Sequence, residues 1–391
     1  MQTGLDVLHT TDWDRTLHAY GASGDAPGRL SGLLADDPDT LTRSLDYLYS
    51  AMLHQGTLYP ATVPTVLFVA GLLERPGAGR PHPDAGAGPE PLRAALLGFL
   101  RDTAESADTG ESDAALAERA RLSPAERDRV VEAVLADDED AWEEPALEAL
   151  TWQVVVDLRA AAPVLRDAVQ PLLTCQDALL RSRAVEAAAA IAALGGLDLD
   201  LSGAADMAET RDEAAVIVLA KGEAGGDTSE FLTHTDPAIR ACAALAPALS
   251  TNTEATRVLV ESLDDPWEAD RWFGTRPAAF GGHVRFTLVR TLAERAGPGD
   301  AERLLPVHRR MAALSSAYTA EADCGPLLEL AFARAPGDGV PDEPTAVQRA
   351  YLRALLDNDE IWSGTVANFS VRLKSLGLPM DREGVRELVG P

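Results

Sequence analysis

One short pattern returns along the chain and leaves few folds open. An apolar pair is followed by a few polar residues, an Asp, often a Pro, and then a stretch rich in Arg and small residues. Leu33-Leu34-Ala35-Asp36-Asp37-Pro38 leads into Leu41, Leu45 and Leu48. Val134-Leu135-Ala136-Asp137-Asp138 leads into Leu147 and Leu150. Leu172-Leu173-Thr174-Cys175-Gln176-Asp177 leads into Leu180, Arg181, Arg183, Ala184 and Ala187. Phe231-Leu232-Thr233-His234-Thr235-Asp236-Pro237 leads into Ile239, Arg240, Ala243 and Leu245. Leu259-Val260-Glu261-Ser262-Leu263-Asp264-Asp265-Pro266 and Tyr351 to Asp357 repeat the opening. Each Asp reads as a helix N-cap, and Pro at the first helical position is preorganised for the helix.

The apolar spacing agrees. Val130, Val131, Val134 and Leu135 form one stripe, and Leu147, Leu150, Val154 and Leu158 another. Val216, Ile217 and Leu219 mark a third helix. Spacing of three and four is the mark of an amphipathic helix. Alternating β-branched runs are nearly absent, so no sheet is expected.

Helix pairs punctuated by Gly and Pro point to a repeat architecture. The pattern resembles the HEAT repeat, and Asp236-Pro237-Ala238-Ile239-Arg240-Ala241-Cys242-Ala243-Ala244-Leu245 carries the likeness best. The resemblance implies an all-α chain, an α-solenoid of stacked antiparallel helix pairs wound into a right-handed superhelix. It also implies that Asp236 and Arg240, and Asp177 with Arg181 or Arg183, tie neighbouring repeats together by hydrogen bonds. A single solenoid over 1–391 is expected. Capping repeats would occupy 1–75, central repeats 92–335 and capping helices 345–391. Pro76 to Pro91 is too rich in Pro and Gly for a helix and reads as a mobile insertion. Pro336 to Pro344 and the acidic stretch Asp102 to Asp113 read as exposed connections.

Charge limits the partners. With 34 basic and 62 acidic residues the chain carries −28, which disfavours extended binding to DNA or RNA. Lysine occurs only at Lys221 and Lys374, and the Arg, Ala, Gly and Pro bias suggests a GC-rich bacterial source. Residues 271–310 run against the trend, with eight arginines and three acids. Such a segment can receive an anionic group, or its arginines can pair with acids on neighbouring helices. Three scattered cysteines, Cys175, Cys242 and Cys324, form no disulfide framework or zinc pattern. No basic and apolar run precedes Asp12, Trp13 and Asp14, and no apolar stretch nears the ~20 residues of a spanning helix. A cytoplasmic protein without membrane contact is expected.

Three stretches hold candidate chemistry. Asp198, Asp200, Ser202, Gly203, Asp206 and Glu209 have the spacing of a calcium loop. Gly195-Gly196 breaks the entering helix too early, and Leu199 and Leu201 occupy solvent-facing positions, so an inter-helix loop with Asp caps fits better. His54, Gln55, Thr57, Tyr59 and Thr62 gather at one turn, where they read as caps on helix ends. The stretch from Asp264 to Phe286 holds two Trp and three Phe in a chain with 5% aromatics. Its candidate binding residues are Trp267, Asp270, Arg271, Trp272, Phe273, Arg276, His283 and Arg285. Aromatic and Arg residues on a scaffolded loop make a recognition hot spot, or equally a plug between repeats.

HExxH, CxxC, P-loop and GxSxG motifs are missing, and the seven histidines show no ligand spacing. No catalytic residue, cofactor or metal is therefore assigned. The leading expectation is a non-enzymatic protein-binding scaffold, immunity-like or regulatory, holding a basic protein on its concave face. An enzyme or small-molecule binder on the same scaffold is the alternative. HEAT-like alkylpurine DNA glycosylases use an aspartate flanked by tryptophans, and Trp267, Asp270 and Trp272 have those residue types. The acidic charge opposes that reading.

Overall fold

The computed structural model describes residues 1–75, 81–84, 88–136, 138, 140, 144–333, 343–363 and 367–390. Among these residues the chain is all-α, with twenty α-helices and two small hairpins. One hairpin pairs Leu17–His18 with Gly21–Ala22, and the other pairs Pro81–Asp84 with Gly88–Pro91. The second lies in the expected insertion, and the remainder of that insertion falls outside the described residues. So do 334–342 and most of the acidic run at 137–143. Among the described residues, no helix is long and apolar enough to cross a membrane.

The punctuation acts as the chemistry requires. The carboxylates of Asp37, Asp177 and Asp236 accept from the backbone N–H groups of Thr40, Leu180 and Ala238, each at 2.9 Å. Asp265 caps Glu268 in the same way at 3.0 Å. Pro38, Pro237 and Pro266 each stand first in the helix that follows. Each cap satisfies an otherwise orphaned donor and contributes ~1 kcal/mol.

The stretch from Asp102 to Asp113 is not one exposed connection. The helix Leu92–Ala107 runs through Asp102 and Glu105, burying Thr103, Ala104 and Ala107 on its inner face. Arg101 reaches Asp102, Glu105 and Glu186, so acids that look like loop residues are held as partners of one guanidinium.

The chain divides into two compact units, Met1–Ala208 and Glu209–Pro391. In the first, Leu92–Ala107 packs along Ala178–Gly195, which also meets Pro145–Val169. Buried Ala184, Ala187, Ala188 and Ala192 keep the second of these helices thin. At its end a Cβ on Gly195 would stand 2.6 Å from Cβ of Ala162. A tighter approach binds the N-terminus to the helix Thr62–Leu72. Gly4 has φ +66°, open to glycine, and its N–H bonds to the Leu67 carbonyl at 3.0 Å. A Cβ on Gly71 would lie 2.3 Å from the Gly4 nitrogen. Gly71→Ala must push backbone apart, and a loss of about 1–3 kcal/mol is expected in urea unfolding. An unchanged midpoint would show that the two segments separate freely.

In the second unit contacts pass from each helix to those just after it. Pro237–Ala244 meets Arg211–Glu223 and Thr253–Ser262, and the latter meets Val284–Arg295. Val284–Arg295 packs on Ala320–Ala331, and Ala301–Leu314 on Ala320–Ala331 and Ala346–Leu356. Ala346–Leu356 then meets Arg382–Val389. One core cluster runs through the unit from Ala215 to Val389.

Candidate functional site

The 264–286 stretch begins with the short helix Pro266–Ala269 and ends where Val284–Arg295 starts. It is pinned to the helix Arg211–Glu223 at two points. Arg211 donates from Nη1 to the Trp272 carbonyl at 2.9 Å, and Asp212 accepts from the Thr275 N–H at 2.6 Å. The Nε of Arg211 also meets Asp236 at 2.6 Å. Arg211 thus links the Asp236 turn to the following segment. Arg240 instead bonds the carbonyls of its own turn, His234 and Thr235. In the first unit Arg181 donates to the Cys175 carbonyl and to the Met207 carbonyl, joining two turns.

The structure sorts the eight candidate residues into three groups. Asp270, His283 and Arg285 meet at one point, joined by Asp323 and Ser315. Arg285 donates from Nε to Asp323 at 2.7 Å and from Nη2 to its other oxygen at 3.3 Å. Its Nη1 bonds Asp270, which also meets Nδ1 of His283 at 3.1 Å. Ser315 donates to Asp323 at 3.0 Å. The side chains of Arg285, Asp270 and Asp323 are 5%, 7% and 0% exposed. Burial alone would lower the Arg285 pKa, but the two carboxylates outweigh it and hold the guanidinium more firmly protonated. This cluster is structural, and the Asp270 carboxylate is occupied within it.

Trp272 and Phe273 form the second group. Phe273 stacks on Phe280 at 5.7 Å and meets Trp272 edge-on at 6.5 Å, against the core of the second unit. Trp267, Arg271 and Arg276 form the third group and are exposed. Trp267 is 58% exposed, with the Arg271 guanidinium 6.0 Å from its ring centre.

The other arginines of 271–310 divide similarly. Arg310 pairs with Asp264 and Arg303 with Asp300, each at 3.0 Å. Arg295 donates to the Ala246 carbonyl. Among the described residues Arg276, Arg290 and Arg309 make no ion pair.

Clefts open among the described residues of this unit. One, of ≈ 210 Å³, lies between Pro237, Arg240, Val258, Glu261, Ser262, Asp264, Asp265, Glu268 and Trp272. Another, of ≈ 420 Å³, is lined by Arg309, Ala313, Ala354, Asp357, Asn358, Asp359 and Glu360.

Asp200 accepts from the Ser202 N–H at 2.9 Å as a turn cap. Among the described residues no group of three His, Cys, Asp or Glu is arranged to hold a metal. The His54 turn closes on itself. Gln55 and Gly56 have φ +52° and +78°, and the Thr62 hydroxyl bonds the Met52 carbonyl at 2.5 Å. Pro60 precedes the helix, which begins at Thr62.

Sequence reading missed one polar cluster in the first unit. Asp25 accepts from Tyr47 Oη at 2.7 Å and meets His18 Nε2 at 3.2 Å. Nδ1 of His18 accepts from the Tyr20 N–H at 3.1 Å, which leaves the proton on Nε2. Burial first, and then Asp25, push the Tyr47 hydroxyl well above the usual tyrosine range. His18, Asp25 and Tyr47 share no spacing that would announce the cluster, because separate elements bring them together.

Compared with known proteins, the chain matches no family model, no curated protein and no solved structure.

Proposed function

We propose that the chain is a non-enzymatic, HEAT-like protein-binding scaffold of regulatory or immunity-like type, and that its 264–286 surface receives a basic protein partner. The observation that carries the reading is Trp267. Folding leaves this large aromatic ring 58% exposed beside Arg271, next to a cleft rimmed by carboxylates. An exposed Trp–Arg pair on a pinned segment has the composition of an interface anchor. The succession of helix contacts in the second unit supports stacked repeats, each meeting only near neighbours. The charge of −28 favours a partner of opposite sign.

The full chain, tagged and expressed in its host, is expected to co-purify with a stoichiometric basic protein. Trp267→Ala should weaken that complex by at least tenfold, the loss of a hot-spot residue. Absence of a stoichiometric partner, or equal binding by the variant, would overturn the reading.

A further inference from the structure

The hairpin of Leu17–His18 with Gly21–Ala22 carries a buried ring whose two nitrogens are both committed. The His18 side chain is only 6% exposed. Its Nδ1 accepts from the Tyr20 N–H at 3.1 Å, inside the turn that joins the strands. Its Nε2 meets Asp25 at 3.2 Å. A backbone N–H can only donate, so the closed turn requires a neutral ring with its one proton on Nε2. A second proton has only Nδ1 to go to. There it would point at the Tyr20 N–H, donor against donor.

The surroundings welcome the charge on one side of the ring and refuse the proton on the other. Asp25, with its side chain half exposed, favours an imidazolium at Nε2. Tyr47 Oη donates to the same carboxylate oxygen at 2.7 Å, and Arg29 stands 3.7 Å from the other, which tempers the pull of Asp25. His54 lies beyond Tyr20, with ring centres 5.7 Å apart, and its Nδ1 donates to the Ser50 carbonyl at 3.1 Å. That nitrogen already carries a proton, so charging His54 breaks no bond. The helix Pro124–Leu135 packs on the second strand, but its Asp128 and Glu132 turn to Arg15.

What can yield is the tip of the hairpin. At its base the Ser23 N–H bonds the Thr16 carbonyl and the Ala61 N–H bonds the Leu17 carbonyl, each at 2.9 Å. Leu17 packs with Val130, Val131, Val134 and Leu150. The Ala19 N–H bonds the Ala51 carbonyl at 3.1 Å, which confines the motion to Tyr20 and Gly21. Tyr20 is 67% exposed and Gly21 has φ +101°, so little packing resists a rotation there. We propose that this tip is a pH-sensitive latch, closed on neutral His18 and released when the ring takes its second proton. Release gives the Tyr20 N–H to water and lets the phenol leave His18 and His54, the rings it meets edge-on. The latch belongs to the first unit and does not depend on the scaffold reading.

The test is a pH titration of the full ¹⁵N-labelled chain, from about pH 8 to about pH 5, following the His18 ring nitrogens and the protection of the Tyr20 amide from solvent exchange. As Nδ1 gains its proton, Tyr20 protection should fall about tenfold or more, while the Ser23 and Ala61 amides keep theirs. Asp25→Asn keeps an acceptor for Nε2 and removes the charge that favours the imidazolium, so the step should move to lower pH. His18→Gln can still accept from the Tyr20 N–H and does not titrate, so the step should vanish. Should that variant not fold, Asp25→Asn carries the comparison alone. A ring that stays neutral throughout, or a Tyr20 amide still protected beside a charged ring, would overturn the latch. So would a step that persists in His18→Gln or that Asp25→Asn leaves at the wild-type pH. Simultaneous loss of protection at Tyr20, Ser23 and Ala61 would be unfolding rather than release and would overturn it as well.

Discussion

Asp323→Ala is expected to destabilise the chain by about 3–5 kcal/mol, read as a lower urea midpoint. Asp323 is completely buried and takes two of the Arg285 donors, while Asp270 takes a third. Removing it leaves a guanidinium in low dielectric with half of its compensation gone. The Ser315 hydroxyl loses that carboxylate but keeps the Met311 carbonyl at 2.8 Å. The penalty comes from the two buried guanidinium donors left without an acceptor, while Asp270 keeps the third. Arg303→Ala, which breaks an exposed pair with Asp300, should cost less than ~1 kcal/mol. If Asp323→Ala unfolds at the wild-type midpoint, the cluster is not a keystone of the second unit.

Stability should also fall on mild acidification because of His308. Its ring is fully buried and stacked on Tyr351 at 4.4 Å. Nε2 meets the Tyr351 carbonyl at 3.2 Å, which places the proton there, and Nδ1 has no partner. A second proton would sit on Nδ1 with nothing to accept it. Burial pulls the pKa down to about 4, the Tyr351 carbonyl resists, and Arg309 adds to the lowering. The unfolded chain protonates its histidine near 6.5. Between these values the unfolded state holds a proton that the folded state lacks, so stability declines as pH falls from 6.5 toward 4. From pH 7 to pH 5 the loss from this residue is about 2 kcal/mol. His308→Gln keeps a donor for the carbonyl and has no titration, so its urea midpoint should depend less on pH over that interval. Parallel curves for the two proteins would remove His308 as the cause.

The sequence by itself determined what depends on neighbours along the chain. Asp37, Asp177, Asp236 and Asp265 cap helices where their spacing from Pro and the apolar stripes said they would. A cap is a bond between residues two or three apart, so its chemistry is local. The aromatic cluster around Phe273 and Phe280 was legible as a local run of ring residues. Distant pairings were settled only by the tertiary structure. Whether Arg285 is a surface contact or a buried ion depends on Asp323, 38 residues away on another helix. One sign was available, an Asp between Ala322 and Cys324 in an apolar helix, where a buried charge demands a partner. Arg101 holds Asp102 and Glu105 within its own helix but reaches Glu186 on another, and Arg211 rather than Arg240 makes the link to Asp236. Coulomb and packing terms act between groups that folding makes adjacent, and one-dimensional spacing does not encode which helices meet.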